Sequence, residues 1–370
     1  MNNYKEAYSK LDAVQKKAVD QIDGPVLVLA GPGTGKTQVL ALRVANILQK
    51  TQMNAYNILC LTYTESAAYE MRSRLTSIIG TTAYDVEINT FHGFANSVIK
   101  DFPYTFNSNL SEEGESELIN YKPLDDFSRY KILVDLLTKN HWKFLTPLKN
   151  NLIHLQQIAK HIQDFKRERI SPEYLEKETN DRMRELTVLR DDDTLTKTKK
   201  ASIDLDVQKC KRTRELIELY SLYSSELTKK SLYDFEDMIK WVIDACKNDP
   251  ELALIYQEKF QYILVDEYQD TNNAQLELLN QLTSFYKDNP NLFVVGDQNQ
   301  SIYRFQGASN YNIEQFNNNY PQAKRIELTI NYRSGQGIID AGTSLITHNV
   351  TGVMQKASAN IKTDVTINTF

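Results

Sequence analysis

Three observations predict an α/β fold with a buried parallel sheet and an inserted, mostly helical subdomain. Short continuous apolar runs bounded by turn or polar residues, at Val26–Ala30, Ile58–Leu61, Ile263–Val265 and Leu292–Val295, have the texture of strands covered on both faces. The first run leads directly into a Gly-rich turn. An apolar-periodic stretch follows (Val39, Leu40, Leu42, Val44, Ile47, Leu48), as a strand-loop-helix unit requires. Between about Ile99 and Tyr233 strand signals give way to long charged stretches with Leu/Ile periodicity, such as Tyr130–Leu137, Leu152–Phe165 and Arg214–Leu227.

The length of 370 residues exceeds the roughly 250–300 at which a single core stops growing, so two or more domains are expected. With 43 Lys and Arg against 48 Asp and Glu, the formal charge is −5. That excludes a uniformly basic nucleic-acid coat and requires any nucleic-acid contact to be local. No run approaches the 18 or more apolar residues of a membrane span, and the polar start Met1-Asn2-Asn3-Tyr4-Lys5 lacks a signal peptide's apolar stretch. A cytoplasmic location away from membranes is expected. Cys60, Cys210 and Cys246 are widely spaced and outside any CxxC pattern, and the five His form no ligand constellation. Lys197–Arg214 carries seven basic and two acidic residues, which suits a solvated helix face, with a backbone-phosphate contact as the sharper alternative. Arg190–Thr194 is expected as a surface loop and Asn317–Asn319 as a turn.

The chemistry concentrates first at Ala30-Gly31-Pro32-Gly33-Thr34-Gly35-Lys36-Thr37. A phosphate cradle needs glycines so that backbone N–H groups converge on anionic oxygens, a Lys to reach the β/γ-phosphates and a hydroxyl for Mg²⁺. All three are present, although Ala30 stands where the strict pattern has Gly. The second element is Tyr262-Ile263-Leu264-Val265-Asp266-Glu267, an apolar strand ending in two carboxylates. Asp266 can position Mg²⁺, together with the Thr37 hydroxyl, and Glu267 can orient or deprotonate an attacking water. The 230 residues between Lys36 and Asp266 (266 − 36) leave room for the insertion.

Asp266-Glu267-Tyr268-Gln269-Asp270-Thr271-Asn272 resembles motif II of the UvrD/Rep/PcrA superfamily 1 DNA helicases, and further motifs follow in order. Leu11–Val19 resembles the family's adenine-reading Q motif, with Asp12 where Asn is usual. Leu61–Met71 is similar to motif Ia, with Glu65-Ser66 replacing a typical Asn-Lys pair. Thr90–Phe94 resembles motif Ib, and Tyr233–Met238 the Asp-Phe-Asp-Asp element. Val295–Ala308 resembles motif III, and Asn331-Tyr332-Arg333-Ser334 motif IV.

The resemblance implies a P-loop RecA-like motor domain in two parts, 1–100 and 231–334, with the helical insertion at 101–230 and the start of a second motor domain at 335–370. It implies ATP and Mg²⁺ as cofactors. Gln15 would read the adenine edge, Tyr332 would stack on the base, and Ala30, Gly31, Pro32, Gly33, Thr34, Gly35, Lys36 and Thr37 would hold the phosphates. Gln300 would sense the γ-phosphate and Arg333 would supply a further cation. Thr62, Tyr63, Thr64, Phe91, His92, Tyr303 and Phe305 would contact single-stranded DNA, mixing hydroxyls for phosphate with aromatic faces for unpaired bases. Phe305 and Gln306 stand where many relatives have Trp and Arg, which would weaken the strand grip there.

The implied activity is that of the motor half of a 3′→5′ DNA helicase or translocase acting on single strands and duplex junctions, with repair or recombination proteins as partners. The family's second motor domain carries later motifs, including an arginine that completes the ATP site. The chain runs to Phe370, with helical Gly337–Leu345 and strand-like Asp364–Phe370 as the first pieces of that domain. Bound ATP, slow hydrolysis and no unwinding by this chain alone are therefore expected. The alternatives are a helicase-nuclease or defence complex and a nucleotide-switched DNA-binding module.

Overall fold

The structure is a computed structural model that describes residues 2–110, 116–118, 121–146, 153–191, 194–297, 308–346 and 358–361. Its strands in chain order are β1 (Val26–Ala30), β2 (Ile58–Thr62), β3 (Glu87–Thr90), β4 (Ser108–Leu110), β5 (Ser116–Leu118), β6 (Lys122–Pro123), β7 (Leu232–Tyr233), β8 (Tyr262–Val265), β9 (Leu292–Gly296), β10 (Lys324–Leu328), β11 (Ile330–Gly335) and β12 (Ser358–Ile361). The chain divides into two compact units. One comprises Met1–Ala95, Cys246–Thr271 and Leu276–Phe370, and the other Asn96–Ala245 and Asn272–Gln275. The main segment of the helical unit runs from Asn96 to Ala245, where the sequence pattern suggests 101–230, and the helix Phe235–Asn248 crosses its end.

In the first unit six strands form one sheet in the order β10-β1-β9-β8-β2-β3, with every pairing parallel. β1, β2, β8 and β9 are buried along their whole length, as strands packed on both faces must be. They coincide with the four apolar runs. β3 and β10 lie at the two sheet edges and alternate in burial, so Glu-Ile-Asn-Thr and Lys-Arg-Ile-Glu-Leu lack the continuous apolar signature. The helix Lys36–Lys50 contributes Val39, Leu40, Leu42, Val44 and Ile47 to the same core. Its Arg43 is buried too. The guanidinium donates to the carbonyls of Ala18 (3.0 Å), Ile22 (2.8 Å) and Gln21 and lies 4.2 Å over the Phe293 ring, while burial lowers its pKa to about 9.

Because all six strands run the same way, their carboxyl ends share one edge of the sheet, where α/β folds bind ligands. The register sets Leu29 opposite Gly296, Val294 opposite Val265, and Val265 opposite Leu61. With neighbouring strands roughly 4.8 Å apart, the ends of β1 and β8 are about 10 Å apart, a gap that a lysine side chain can span. β11 and β12 form a separate parallel pair, and Gln336–Ile346 is helical, as expected. Asn317–Asn319 forms the last turn of the helix Ala308–Asn319 rather than a free turn. Asp364–Phe370 lies outside the described residues.

The second unit is mostly helical, with Asp126–Lys139, Leu155–Arg167, Pro172–Arg190 and Lys197–Lys229 as its main helices. Short pairs add to it, β4 with β5 antiparallel and β6 with β7 parallel. Ser171 caps one helix with Pro172 at its first position, and Thr196 caps another. Its core joins Leu133, Leu137, Trp142, Ile158, Ile162, Leu219 and Tyr223. The basic stretch Lys197–Arg214 forms the first half of the 33-residue helix; within it Lys209 pairs with Asp206, while its other acid, Asp204, pairs with Arg190 of the preceding helix.

Lys166 is the buried polar centre of this unit. Its ammonium donates to Asp234 (2.6 Å) and to both oxygens of Asp237 (2.9 Å), and Tyr223 donates to Asp234 (3.3 Å). Burial opposes the Lys166 charge, but the two carboxylates outweigh it and hold the pKa up, while burial pushes Asp237 to about 6. Breaking such a cluster strands buried carboxylates. Lys166→Met is expected to destabilise the chain by roughly 3–5 kcal/mol, measured by thermal or urea unfolding; a change below about 0.5 kcal/mol would show that the cluster contributes nothing. No helix among the described residues is long and apolar enough to cross a membrane.

Candidate functional site

The phosphate loop follows β1 directly. Gly33 and Gly35 have positive φ (72° and 83°), which exposes successive backbone N–H groups to one side. A Cβ at Gly33 would stand 2.7 Å from both Arg333 Cβ and Asn331 Oδ1, so a side chain there would meet steric as well as conformational conflict. Gly35 is the N-cap of the helix Lys36–Lys50 and supplies no side-chain cap, so the helix N-terminus remains directed at the loop. Thr34 is buried and turns its hydroxyl to Gly31 O (2.8 Å), which fixes the loop and commits the hydroxyl, though not the backbone N–H, within the protein.

Lys36 Nζ donates to Glu267 Oε2 at 2.8 Å across the sheet edge. Glu267 itself sits in the left-handed region (φ 49°, ψ 45°), which bends the chain sharply after β8 and turns the carboxylate toward the loop. Asp266 is buried, and its backbone is pinned to Leu61 O (2.9 Å). Burial, with the Glu267 charge adding, pushes the Asp266 carboxyl up to about 6, while Lys36 pulls the other way. A nearby divalent cation would favour its ionised form.

A cavity of about 280 Å³ is lined by Pro32, Gly33, Lys36, Thr37, Asp266, Glu267 and Arg333, with Arg74 and Glu70 at its side. A second, of about 450 Å³, is lined by Leu11, Gln15, Tyr332, Lys10 and Ile78 among others; Gly35 and Gln38 line both. The two are consecutive compartments, one charged and one largely apolar with an amide and a phenol. Gln15 is buried. Its Nε2 donates to Thr34 O (2.9 Å) and its Oε1 accepts from Asp12 N (3.1 Å), which leaves one donor and one acceptor position for a base edge. Thr37 and Asp266 offer hard oxygen ligands. Among the described residues no group of three His, Cys, Asp or Glu side chains could hold a metal ion, and Mg²⁺ ordinarily combines one or two protein oxygens with phosphates and water. The donor set fits it.

Two residues that the sequence did not single out knit this site. Gln269 is buried; its Nε2 donates to Glu267 Oε2 (2.8 Å) and its Oε1 accepts from Asp297 N (2.9 Å), so it ties the acidic strand end to the end of β9. Asn331 donates to Pro32 O (2.6 Å) and accepts from the backbone of Arg333 and Ser334 (both 2.8 Å), and so fastens the Tyr332-Arg333 turn to the phosphate loop. The available signal was chemical: a neutral amide, set among acids at Gln269 and beside the Tyr332-Arg333 pair at Asn331, can donate and accept at once.

The ends of β2 and β3 carry the expected strand-contact residues, with mixed outcome. Tyr63 is 46% exposed, and Thr64 is exposed while its hydroxyl caps the helix Glu65–Ile79 through Ala67 N (3.1 Å). His92 is half-buried. Phe91, at 2% exposure, is an interior residue with no free ring face, and Thr62, at 1%, spends its hydroxyl on Thr64 O (3.1 Å). Both correct the expectation of DNA contact, because the pattern that marks the motif also marks the strand ends that must pack. Glu65 accepts from the Thr90 hydroxyl (2.8 Å) and links the two motifs. Gln300, Tyr303 and Phe305 lie outside the described residues.

An all-parallel sheet with a phosphate loop after β1 and an acid pair after β8 defines an α/β P-loop fold of the RecA-like type. Residues 11–321 match the UvrD/REP helicase N-terminal domain family. The chain is 32% identical over 339 residues to the ATP-dependent DNA helicase PcrA of Staphylococcus epidermidis RP62A, 34% over 341 residues to that of Bacillus subtilis 168, and 31% over 345 residues to that of Leuconostoc citreum. In each case 92% of this chain is covered and 40% of the relative, so it spans well under half the length of these proteins. The chain belongs to the UvrD/REP helicase family.

Proposed function

We propose that this chain is the ATP-binding motor part of an ATP-dependent DNA helicase or translocase that moves 3′→5′ on single strands and acts at duplex junctions. The carrying observation is the Lys36–Glu267 contact at 2.8 Å, which brings the phosphate loop and the acid pair to one cavity edge beside Thr37 and Asp266. In this reading Lys36, the loop N–H groups and Arg333 hold the triphosphate, Thr37 and Asp266 hold Mg²⁺, Glu267 orients the attacking water, and Gln300 senses the γ-phosphate. Gln15 and Tyr332 receive adenine. Tyr63 and Thr64, beside the acid pair through the β2–β8 register, and His92, one strand further through the β2–β3 register, begin the single-strand track, which Tyr303 and Phe305 would continue.

The 370-residue chain alone is expected to bind ATP, hydrolyse it slowly and fail to unwind duplex, since an arginine contributed by a second motor domain can be worth on the order of 10³–10⁵ in turnover. The test is phosphate release with and without a single-stranded oligonucleotide. Stimulation by the strand supports the motor. Tight ATP binding with no turnover under either condition would favour a nucleotide-switched clamp, and processive unwinding by the chain alone would contradict the proposed division of labour.

A further inference from the structure

We infer that Asp12 is the positioning residue of the base compartment: its two carboxylate oxygens hold Gln15 and Tyr332 in place at once, so that base affinity depends on it while triphosphate affinity does not. This rests on the nucleotide-binding function proposed above. Asp12 Oδ1 caps the helix Ala13–Asp20, accepting from Val14 N (2.7 Å) and Gln15 N (2.8 Å). The Gln15 amide returns to Asp12 N (3.1 Å), completing a capping box that sets its rotamer. The other oxygen, Oδ2, accepts from the Tyr332 hydroxyl at 2.7 Å. Burial first, and then this bond, push the Tyr332 phenol up to about 12, so it remains a donor across the physiological range.

The bonds close a ring through the phosphate loop. Gln15 donates to Thr34 O, and Tyr332 N donates to Gly33 O (2.8 Å), so Asp12, Gln15, the loop and Tyr332 form one circuit around the base compartment. Asp12 is the member that touches both base-lining side chains. Ser would keep the helix cap and lose the tyrosine, whereas Asn would keep the cap with its oxygen and reverse the second bond, its amide N–H donating to the phenol oxygen. What the carboxylate adds over the family's usual Asn is a charge-assisted bond in which the phenol donates, at 2.7 Å.

Asp12→Ser isolates this role in the full 370-residue chain, because Ser preserves the cap. With Mg²⁺ present, equilibrium titrations should show ATP affinity falling on the order of tenfold, equivalent to about 1.4 kcal/mol, with inorganic tripolyphosphate affinity unchanged. Tyr332→Phe should reproduce the shift, and the double variant should add little to either alone, since both remove one bond. Equal losses for ATP and tripolyphosphate would reduce Asp12 to a structural cap and overturn the inference, as would ATP affinity that ignores Asp12→Ser. An unsubstituted chain that binds neither ligand would overturn the nucleotide-binding function itself.

Discussion

Glu267→Gln should lower single-turnover ATP hydrolysis by roughly 10²–10⁴-fold, the usual worth of a positioned acid–base group, and leave ATP binding intact or tighter. The side chain sits where the chain turns sharply after β8, and Gln can occupy the same space and keep the contact to Gln269. What it loses is the ability to take a proton from water or to orient it with a full charge. Its hold on Lys36 also weakens. In this structure Glu267 Oε2 accepts from both Lys36 Nζ and Gln269 Nε2 at 2.8 Å, so an incoming γ-phosphate must compete with a carboxylate for the lysine. A neutral amide is a weaker competitor, which sets the sign of the affinity change. Filter-trapped nucleotide and single-turnover phosphate release measure the two quantities separately. Weakened binding together with retained turnover would remove Glu267 from the proposed chemistry.

Lys36→Ala should act on both quantities in the same direction. Charge-assisted hydrogen bonds contribute about 1.5–3 kcal/mol, so ATP affinity is expected to fall roughly 10–100-fold. Turnover should fall a further ~10²–10³ because one preorganised donor to the developing charge is gone. Its side chain is 12% exposed and lines the charged cavity, so no water-exposed cation replaces it at that point. Of the two other cations that line the cavity, Arg74 is engaged with Glu70 (2.8 Å) and Gln38 (3.2 Å), while Arg333 has its own place on the triphosphate in the proposed arrangement. Equal ATP affinity in the variant and the unsubstituted chain would place the triphosphate elsewhere.

The central strands were legible because burial on both faces leaves an unbroken apolar run, and the phosphate loop because its chemistry restricts both residue type and spacing. Edge strands were not. Lys324–Leu328 exposes alternate residues to water, and Glu87–Thr90 is only four residues long with polar Glu87 and Asn89, so neither carries a continuous signal. The residues that line the charged cavity were legible where the proposed role lies in a residue's own chemistry, as with Lys36, Thr37 and Glu267. The site was less so where a residue acts through another. Gln269, Asn331 and Asp12 work by bridging segments far apart in the chain: Asp12 meets Tyr332 320 positions away, a proximity that only the parallel sheet and its loops create. Motif membership overreached at Phe91 and Thr62, where the strand end that presents neighbouring residues to solvent buries these two.

The most direct measurement is a crystal structure of the 370-residue chain with a non-hydrolysable ATP analogue and Mg²⁺. The triphosphate should lie on the backbone N–H groups of Gly33 to Thr37 with Lys36 turned from Glu267 to the γ-phosphate, the metal between Thr37 and Asp266, and adenine between Gln15 and Tyr332. An analogue bound away from the loop Ala30–Thr37, or a base lying outside the compartment of Gln15 and Tyr332, would contradict the account.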